Sequence, residues 1–237
     1  MWIVLPTYEE ARSVAGVIGG LRDVLGPDVR ILVVDDASPD GTGDVAERLG
    51  AIVLHRARRD GLGPALAAGF AHALGAGADV VVQMDADGSH DPAALPALLA
   101  RLDAGAGLAI GSRYVPSGRV VAWPAWRRAL SRAGCAYARA FLGVPVRDLT
   151  SGLKAWRAPA LAATRFESVR GRGYAFQVEL THRALLAGVP AAEVPITFTE
   201  RSAGASKLSG AIALEAAWRV PALRLQSRRL RADLTLG

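Results

Sequence analysis

The 237-residue chain has a single cysteine, Cys135. An internal disulfide is therefore excluded, and a reducing compartment is expected. No run of about eighteen apolar residues occurs, so no transmembrane helix is expected. No leader peptide is expected either, because Met1 runs straight into an apolar segment of strand character. The fingerprint G-x-G-x-x-G is missing after that first segment, which argues against a nicotinamide enzyme. The pattern G-x-x-x-x-G-K-[ST] is missing too, which argues against a P-loop nucleotidase. There is no internal repeat and no low-complexity linker. The four histidines show no catalytic pairing, and His90 reads as part of the turn before Asp91-Pro92.

What is there begins with charge. The net charge is +6, with a pI near 10.2. That surplus favours anionic partners: nucleotides, phospholipid surfaces or nucleic acid. The length fits one large domain, or one domain with an appendage, and is enough to bury a real core.

Apolar segments of strand character cover 2–5, 29–34, 52–54, 80–84 and 108–110, and segments at helical spacing cover 9–25, 44–49, 62–74 and 93–102. Asp91 caps the last of these helices, with Pro92 at its first position. Strand and helix alternate, which predicts a mostly parallel α/β sheet with helices on both faces. The second half is less regular. It carries a basic helix over 124–142, turn chemistry and an apolar segment over 148–156, and a helix over 174–186. A strand over 193–198 points Val194, Ile196 and Phe198 inward. A polar, flexible loop over 199–209, an amphipathic helix over 212–225 and a frayed tail over 228–237 complete the chain.

The chain is organised around Asp85-Ala86-Asp87-Gly88-Ser89, which follows the apolar run 79–84. Two carboxylates two residues apart at the C-terminal end of a buried strand can hold a hard divalent ion, and the ion can neutralise a diphosphate. Pro6-Thr-Tyr-Glu-Glu10 and Asp35-Asp36 also follow strands. In a doubly wound sheet these loops converge on one edge, giving a nucleotide-sized cleft with an aromatic ring, Tyr8, and several carboxylates.

Further matches then occur in order: Val33-Val-Asp-Asp-Ala-Ser-Pro-Asp-Gly-Thr42, Leu62-Gly63, Gly111-Ser-Arg-Tyr114, Thr150-Ser-Gly152 and Glu200-Arg-Ser-Ala-Gly-Ala-Ser-Lys207. With Leu5–Glu10 and Asp85–Asp87 they resemble the family 2 glycosyltransferases of the dolichol- or polyprenyl-phosphate mannose synthase type. The resemblance covers about residues 1–210. It implies a GT-A (Rossmann-like) catalytic domain over 1–208, with 209–237 as a C-terminal amphipathic helix and tail. It also implies GDP-mannose as donor, Mg2+ or Mn2+, and a polyprenyl or dolichyl phosphate acceptor. Transfer with inversion would run at the cytoplasmic face of a membrane, by a peripheral protein.

Carried over by position, the resemblance puts Pro6, Tyr8, Glu10, Val34 and Asp36 around the nucleotide. Asp85 and Asp87, with Ala86 between them, would hold the metal on the diphosphate, and Ser89 or a water would complete the set. Arg113 would sit near the donor and acceptor phosphates, Arg127 and Ser131 near the acceptor phosphate, and Arg201 and Lys207 would close over the diphosphate. A UDP-sugar enzyme of the same fold is the alternative. A nucleic-acid binder is disfavoured, because the basic residues are not interleaved with exposed aromatics and the acidic loops converge on the cleft. Intact Asp85, Asp87, Arg113, Arg201 and Lys207 oppose an inactive scaffold.

The helix over 124–142 gathers Trp126, Leu130, Ala133, Tyr137 and Phe141 on one face and Arg128, Arg132 and Arg139 in a stripe opposite. That pattern suits an interfacial anchor, or a helix whose apolar face packs on the sheet. The helix over 212–225 competes for the membrane role or docks on a membrane-protein partner.

Overall fold

The structure, a computed structural model, describes residues 1–171, 173–200 and 210–235. Its strands are β1 (Trp2–Thr7), β2 (Arg30–Asp35), β3 (Ile52–His55), β4 (Val80–Gln83), β5 (Leu108–Ser112), β6 (Arg119–Val121), β7 (Lys154–Arg157), β8 (Ala191–Pro195) and β9 (Thr197–Thr199). Seven of them form one sheet in the order β3-β2-β1-β4-β7-β5-β8, while β6 and β9 pair separately. Helices α1 (Val14–Leu25), α2 (Thr42–Arg48), α3 (Leu62–Gly75), α4 (Leu95–Asp103), α5 (Ala125–Leu142), α6 (Ala158–Ala162), α7 (Gly173–Leu186) and α8 (Gly210–Thr235) connect and cover them.

β1 is buried on both faces, and its alternation divides the core. Trp2 and Val4 pack with Leu66 and Phe70 of α3, while Ile3 and Leu5 pack with Ile18 and Leu21 of α1 and Leu98 of α4. A strand covered on both sides needs apolar residues at every position, which is why 2–5 reads as an unbroken run. Each such aliphatic side chain contributes about 1.5–3 kcal/mol through burial. α5, α7 and α8 lie on the α3 side, where Ala138, Leu142, Leu180, Val220 and Leu223 join that cluster.

Four differences from the sequence reading have physical causes. First, β7 runs antiparallel between β4 and β5, where only an apolar segment was expected. Lys154 interrupts the apolar run and hides the strand. Second, α1 begins at Val14 rather than near 9. The amides of Glu10 and Ala11 are bound instead by Thr42 Oγ1 (2.9 Å) and Asp40 Oδ2 (3.1 Å). Third, the strand over 193–198 is split into β8 and β9, with Ile196 buried at the bend. Fourth, the C-terminal helix does not end at 225 in a frayed tail. α8 runs to Thr235 with Pro221 inside it, and packs on α5 and α7.

Candidate active site

The site sits at the C-terminal ends of β1, β2 and β4, the edge where an open α/β sheet binds ligands. The aspartates of the stretch after β2 build it in different ways. Asp35 accepts from Thr7 Oγ1 (3.0 Å) and from the Ser38 amide (3.1 Å), closing the turn. Asp40 accepts from the Ala11 and Thr42 amides (3.1 Å each) and so ties this loop to the one after β1. Burial pushes the Asp40 carboxyl up, but these donors and the Thr42 hydroxyl outweigh it and hold the pKa below its usual value. Asp36 faces the other way. It pairs with Arg56 and accepts from the Asp60 and Gly61 amides at 3.0 and 2.7 Å. It thereby pins residues 56–61 as one wall of a cleft.

That cleft has a volume of about 270 Å³ and is lined by Pro6, Tyr8, Glu10, Asp36, Asp85, Ala86 and Asp87. Among the walls that sequence reasoning missed are Arg59 and Tyr174 at the start of α7, while Leu62, at the start of α3, stood in a matched motif but was given no role. Arg59 lies over the Tyr8 ring, 3.8 Å from its centroid.

A second, smaller cavity of about 40 Å³ shares Asp85, Asp87 and Tyr174 with the first. Its other walls include Arg113, Arg127, Trp123, Thr150 and Glu200. Arg113 donates from Nε to Asp148 Oδ2 and from Nη2 to Asp148 Oδ1, both at 2.7 Å, and Nη2 also reaches Thr150 Oγ1 at 2.7 Å. The Arg113 amide donates to the same carboxylate at 3.0 Å. Burial alone would push both pKa values towards the neutral forms. The facing charge wins, so the Arg113 pKa is raised and that of Asp148 is lowered. A bidentate fork of this kind fixes the guanidinium plane. Arg127 pairs with Glu200 and lies over the Trp123 ring at 4.0 Å. Ser131, one turn further along α5, has its hydroxyl 2.6 Å from Tyr114 OH, which donates to it.

The carboxylates themselves are supported from behind. His90 is buried, and its Nε2 lies 3.3 Å from Asp85 Oδ2, so the residue read as part of a turn is a prop for Asp85. Gly152 makes room for that carboxylate: a Cβ there would stand 2.6 Å from Asp85 Oδ2. Asp87 Oδ1 accepts from the Ser89 amide at 3.0 Å. Below them Lys154 is fully buried, and its Nζ donates to Gln177 Oε1 at 2.6 Å. Burial pushes that ammonium down to about 7, against the pull of Asp148 and Asp85. Gln83 joins the same network, donating to Gln177 Oε1 and Gly152 O at 2.9 and 3.2 Å. β4, β7 and α7 are thus locked together directly beneath the site.

Two carboxylates do not by themselves cage a metal, and among the described residues no group of three acidic, histidine or cysteine side chains is placed to hold one. They do fit an Mg2+- or Mn2+-type ion that takes its remaining oxygens from a phosphate and water. Ser89 lines neither cavity, but its Oγ is buried with no hydrogen-bond partner among the described residues.

Residues 2–164 match glycosyl transferase family 2. The chain belongs to that family. The glycosyltransferase is 48% identical over 240 residues to the undecaprenyl-phosphate mannosyltransferase of Micrococcus luteus, covering 98% of each chain. It is 46% identical over 237 residues to the polyprenol monophosphomannose synthase of Mycolicibacterium smegmatis, covering 97% of this chain and 89% of that one. Among solved structures, the glucosyl-3-phosphoglycerate synthase of Mycobacterium tuberculosis in complex with Mn2+, uridine-diphosphate-glucose and phosphoglyceric acid aligns with a TM-score of 0.67. The identity is 23%, over 96% of this chain and 78% of that one. That likeness concerns the fold: a mostly parallel mixed sheet flanked by helices, as in GT-A enzymes.

The glycosyltransferase thus brings together most of the residues singled out from its sequence. Val34 is the exception on the nucleotide side. It is fully buried and packs in the core with α3 rather than lining the cleft. The register of β2 turns its side chain under the sheet's α3 layer. Arg201 and Lys207 lie outside the described residues. Trp123 was missed, Asp148 was read only as turn chemistry, and Glu200 only as the start of a motif. Asp148 stands directly before Leu149-Thr150-Ser151-Gly152, and a lone aspartate ahead of that motif was the available signal.

Proposed function

We propose that the glycosyltransferase moves mannose from GDP-mannose to a polyprenyl or dolichyl phosphate, with inversion, using Mg2+ or Mn2+. The observation that carries this reading is the position of Asp85 and Asp87 on the wall shared by a nucleotide-sized cleft and a second cavity lined by Arg113 and Arg127. A donor diphosphate at that wall and an acceptor phosphate beyond it would meet at the sugar. The names of the two bacterial relatives support mannose and a polyprenyl phosphate.

The residues then have distinct tasks. Tyr8, Glu10 and Asp36 form the nucleotide end, Asp85 and Asp87 would hold the ion, and Arg201 and Lys207, outside the described residues, are assigned to the diphosphate by the resemblance alone. When bound, the ion neutralises charge on the departing diphosphate. Arg113, with Nε and Nη2 held by Asp148 and Thr150, presents Nη1 to phosphate oxygens. The acceptor displaces Glu200 from Arg127, while Ser131 stays hydrogen-bonded at its flank. A phosphate monoester is mostly dianionic at neutral pH, with a second pKa of about 6. Its oxygen bonds to the anomeric carbon as the sugar–diphosphate bond breaks, and the electron pair leaves on the GDP oxygen. No proton has to be removed, which suits a site whose nearest histidine, His90, is buried against Asp85. Radiolabelled GDP-mannose and UDP-sugars, offered with polyprenyl phosphate, test this directly. Mannolipid from GDP-mannose is expected; labelled lipid from UDP-glucose instead would replace the reading with the UDP-sugar alternative. Arg127→Ala should raise the acceptor KM at least about tenfold, the cost of one lost charge-assisted contact, with donor affinity unchanged.

An acceptor with a polyprenyl tail requires the protein to meet a membrane surface; the cytoplasmic face is what the resemblance implies, and α5 is the contact. Among the described residues no helix is long and apolar enough to cross a membrane. Most of the apolar stripe of α5 is left open: Trp126, Leu130 and Phe141 are 65%, 44% and 47% exposed, and only Tyr137 is half-buried against the core. The helix buries Arg127, Cys135, Ala138 and Leu142 instead, and leaves Arg128, Arg132 and Arg139 exposed. An apolar strip with arginines on the opposite face is the composition of an interfacial helix, and an arginine near an anionic surface adds about 1 kcal/mol. Arg128→Glu combined with Arg132→Glu should release the protein from anionic liposomes in co-sedimentation while donor binding is kept. Unchanged sedimentation would move the contact elsewhere.

A further inference from the structure

The wall of the nucleotide cleft contains an arginine that the reaction described above does not use. Residues 56–61 carry Arg56, Arg58 and Arg59. Arg56 is taken by Asp36 and Asp60, and Arg58 by Asp60. Arg59 makes no hydrogen bond or ion pair among the described residues. Its guanidinium lies over the Tyr8 ring, with Cζ 3.8 Å from the ring centroid. Both residues line the cleft. The backbone beside Arg59 is not loose, because Asp36 binds the Asp60 and Gly61 amides. Those bonds, together with Arg56, also engage both carboxylate oxygens of Asp36. The wall therefore offers an incoming base one uncommitted group with several donors, held at stacking height over an aromatic ring.

We propose that Arg59 reads the donor base, giving two parallel N–H bonds to O6 and N7 of guanine and so selecting guanine over uracil nucleotides. The inference rests on the GDP-mannose reading and deepens it. A guanidinium is a planar fork that matches two adjacent acceptors in its own plane. Guanine presents such a pair, and Arg to O6 and N7 is the commonest specific guanine contact where proteins read nucleic acid. The corresponding edge of uracil carries a single acceptor, O4, beside a C–H. Tyr8 serves as the platform that sets the height of the fork, by the attraction between a cation and an aromatic face.

Isothermal titration of GDP, UDP and 7-deaza-GDP, each with Mn2+, into the wild type and Arg59→Gln separates the outcomes. The wild type should bind GDP better than UDP and should lose affinity for 7-deaza-GDP, which lacks the N7 acceptor. Arg59→Gln should bind GDP about tenfold more weakly, a loss of the size of one bidentate base contact. It should bind UDP within twofold of the wild type and should no longer distinguish GDP from 7-deaza-GDP. Equal losses for GDP and UDP would make Arg59 a phosphate ligand and overturn the proposal. Unchanged or tighter GDP binding would overturn it too, showing Arg59 to be a bystander or a plug on Tyr8. A wild type that fails to prefer GDP would overturn the donor reading and this proposal together, whereas a preference unaffected by Arg59→Gln overturns this proposal alone. Arg59 is exposed, so the variant folds normally; an unchanged melting temperature checks that.

Discussion

Asp87→Asn is expected to lower transfer by about two to three orders of magnitude or more while leaving the fold intact. The side chain is 6% exposed and stands where both cavities meet. Asparagine keeps the oxygen that accepts from the Ser89 amide, so the loop retains its internal hydrogen bond. What it loses is the charge that a hard divalent ion requires. Loss of one preorganised electrostatic contact to the developing charge costs about 10²–10³ in rate, and loss of the ion costs more. Asp85→Asn should behave alike, with the added loss of its pairing to His90. Chelation by EDTA should reproduce the defect reversibly. The measurements are transfer to polyprenyl phosphate, the melting temperature, and Mn2+ binding by the variants. Full transfer in EDTA by metal-free protein would remove the ion from the mechanism.

Asp148→Asn carries the largest expected effect on stability. The carboxylate is fully buried, and it accepts from three donors of Arg113 and from the Thr150 hydroxyl. The variant leaves a buried guanidinium without its counter-charge. Breaking a buried pair from one side costs roughly 3–5 kcal/mol, because the remaining charge stays desolvated. Urea unfolding should show that loss at neutral pH. The pKa of Asp148 is lowered in the folded protein, so its contribution is complete above the unfolded value of about 3.9 and disappears as pH falls through the depressed folded value. The gap between wild type and Asp148→Asn should therefore narrow only in acid. An equal gap at pH 7 and at pH 2–3 would mean that the pair's charge is not what stabilises the fold. Transfer should fall as well, since Asp148 fixes the plane of Arg113.

Much of the architecture was legible because both faces of the sheet are covered. Continuous apolar runs at 2–5, 29–34 and 80–84 have few other interpretations once helical spacing separates them. The acidic loops were legible for a related reason: each follows such a run, and parallel strands bring their C-terminal ends to one edge. The less regular second half was not. β7 carries a lysine in its first position, and nothing local distinguishes a lysine in a loop from one buried against Gln177. Arg113 and Arg127 could be named from the motifs around them, but the groups that orient them could not. Asp148 lies 35 residues from Arg113, and Glu200 lies 73 from Arg127.

By itself the sequence determined the α/β class, the two carboxylates, the arginines and the amphipathic character of α5, since all of these follow from local order and composition. Only the tertiary structure decided how they are used. Whether the apolar stripe of α5 faces the core or the solvent depends on which side of the helix carries Arg127 and Cys135 into the cavity and core. A periodic pattern names faces but not their neighbours. Likewise Asp36 became a wall brace, Val34 a core residue and His90 a support for Asp85. Each of these roles depends on contacts between segments far apart in the chain, and such contacts exist only once the sheet has brought those segments together.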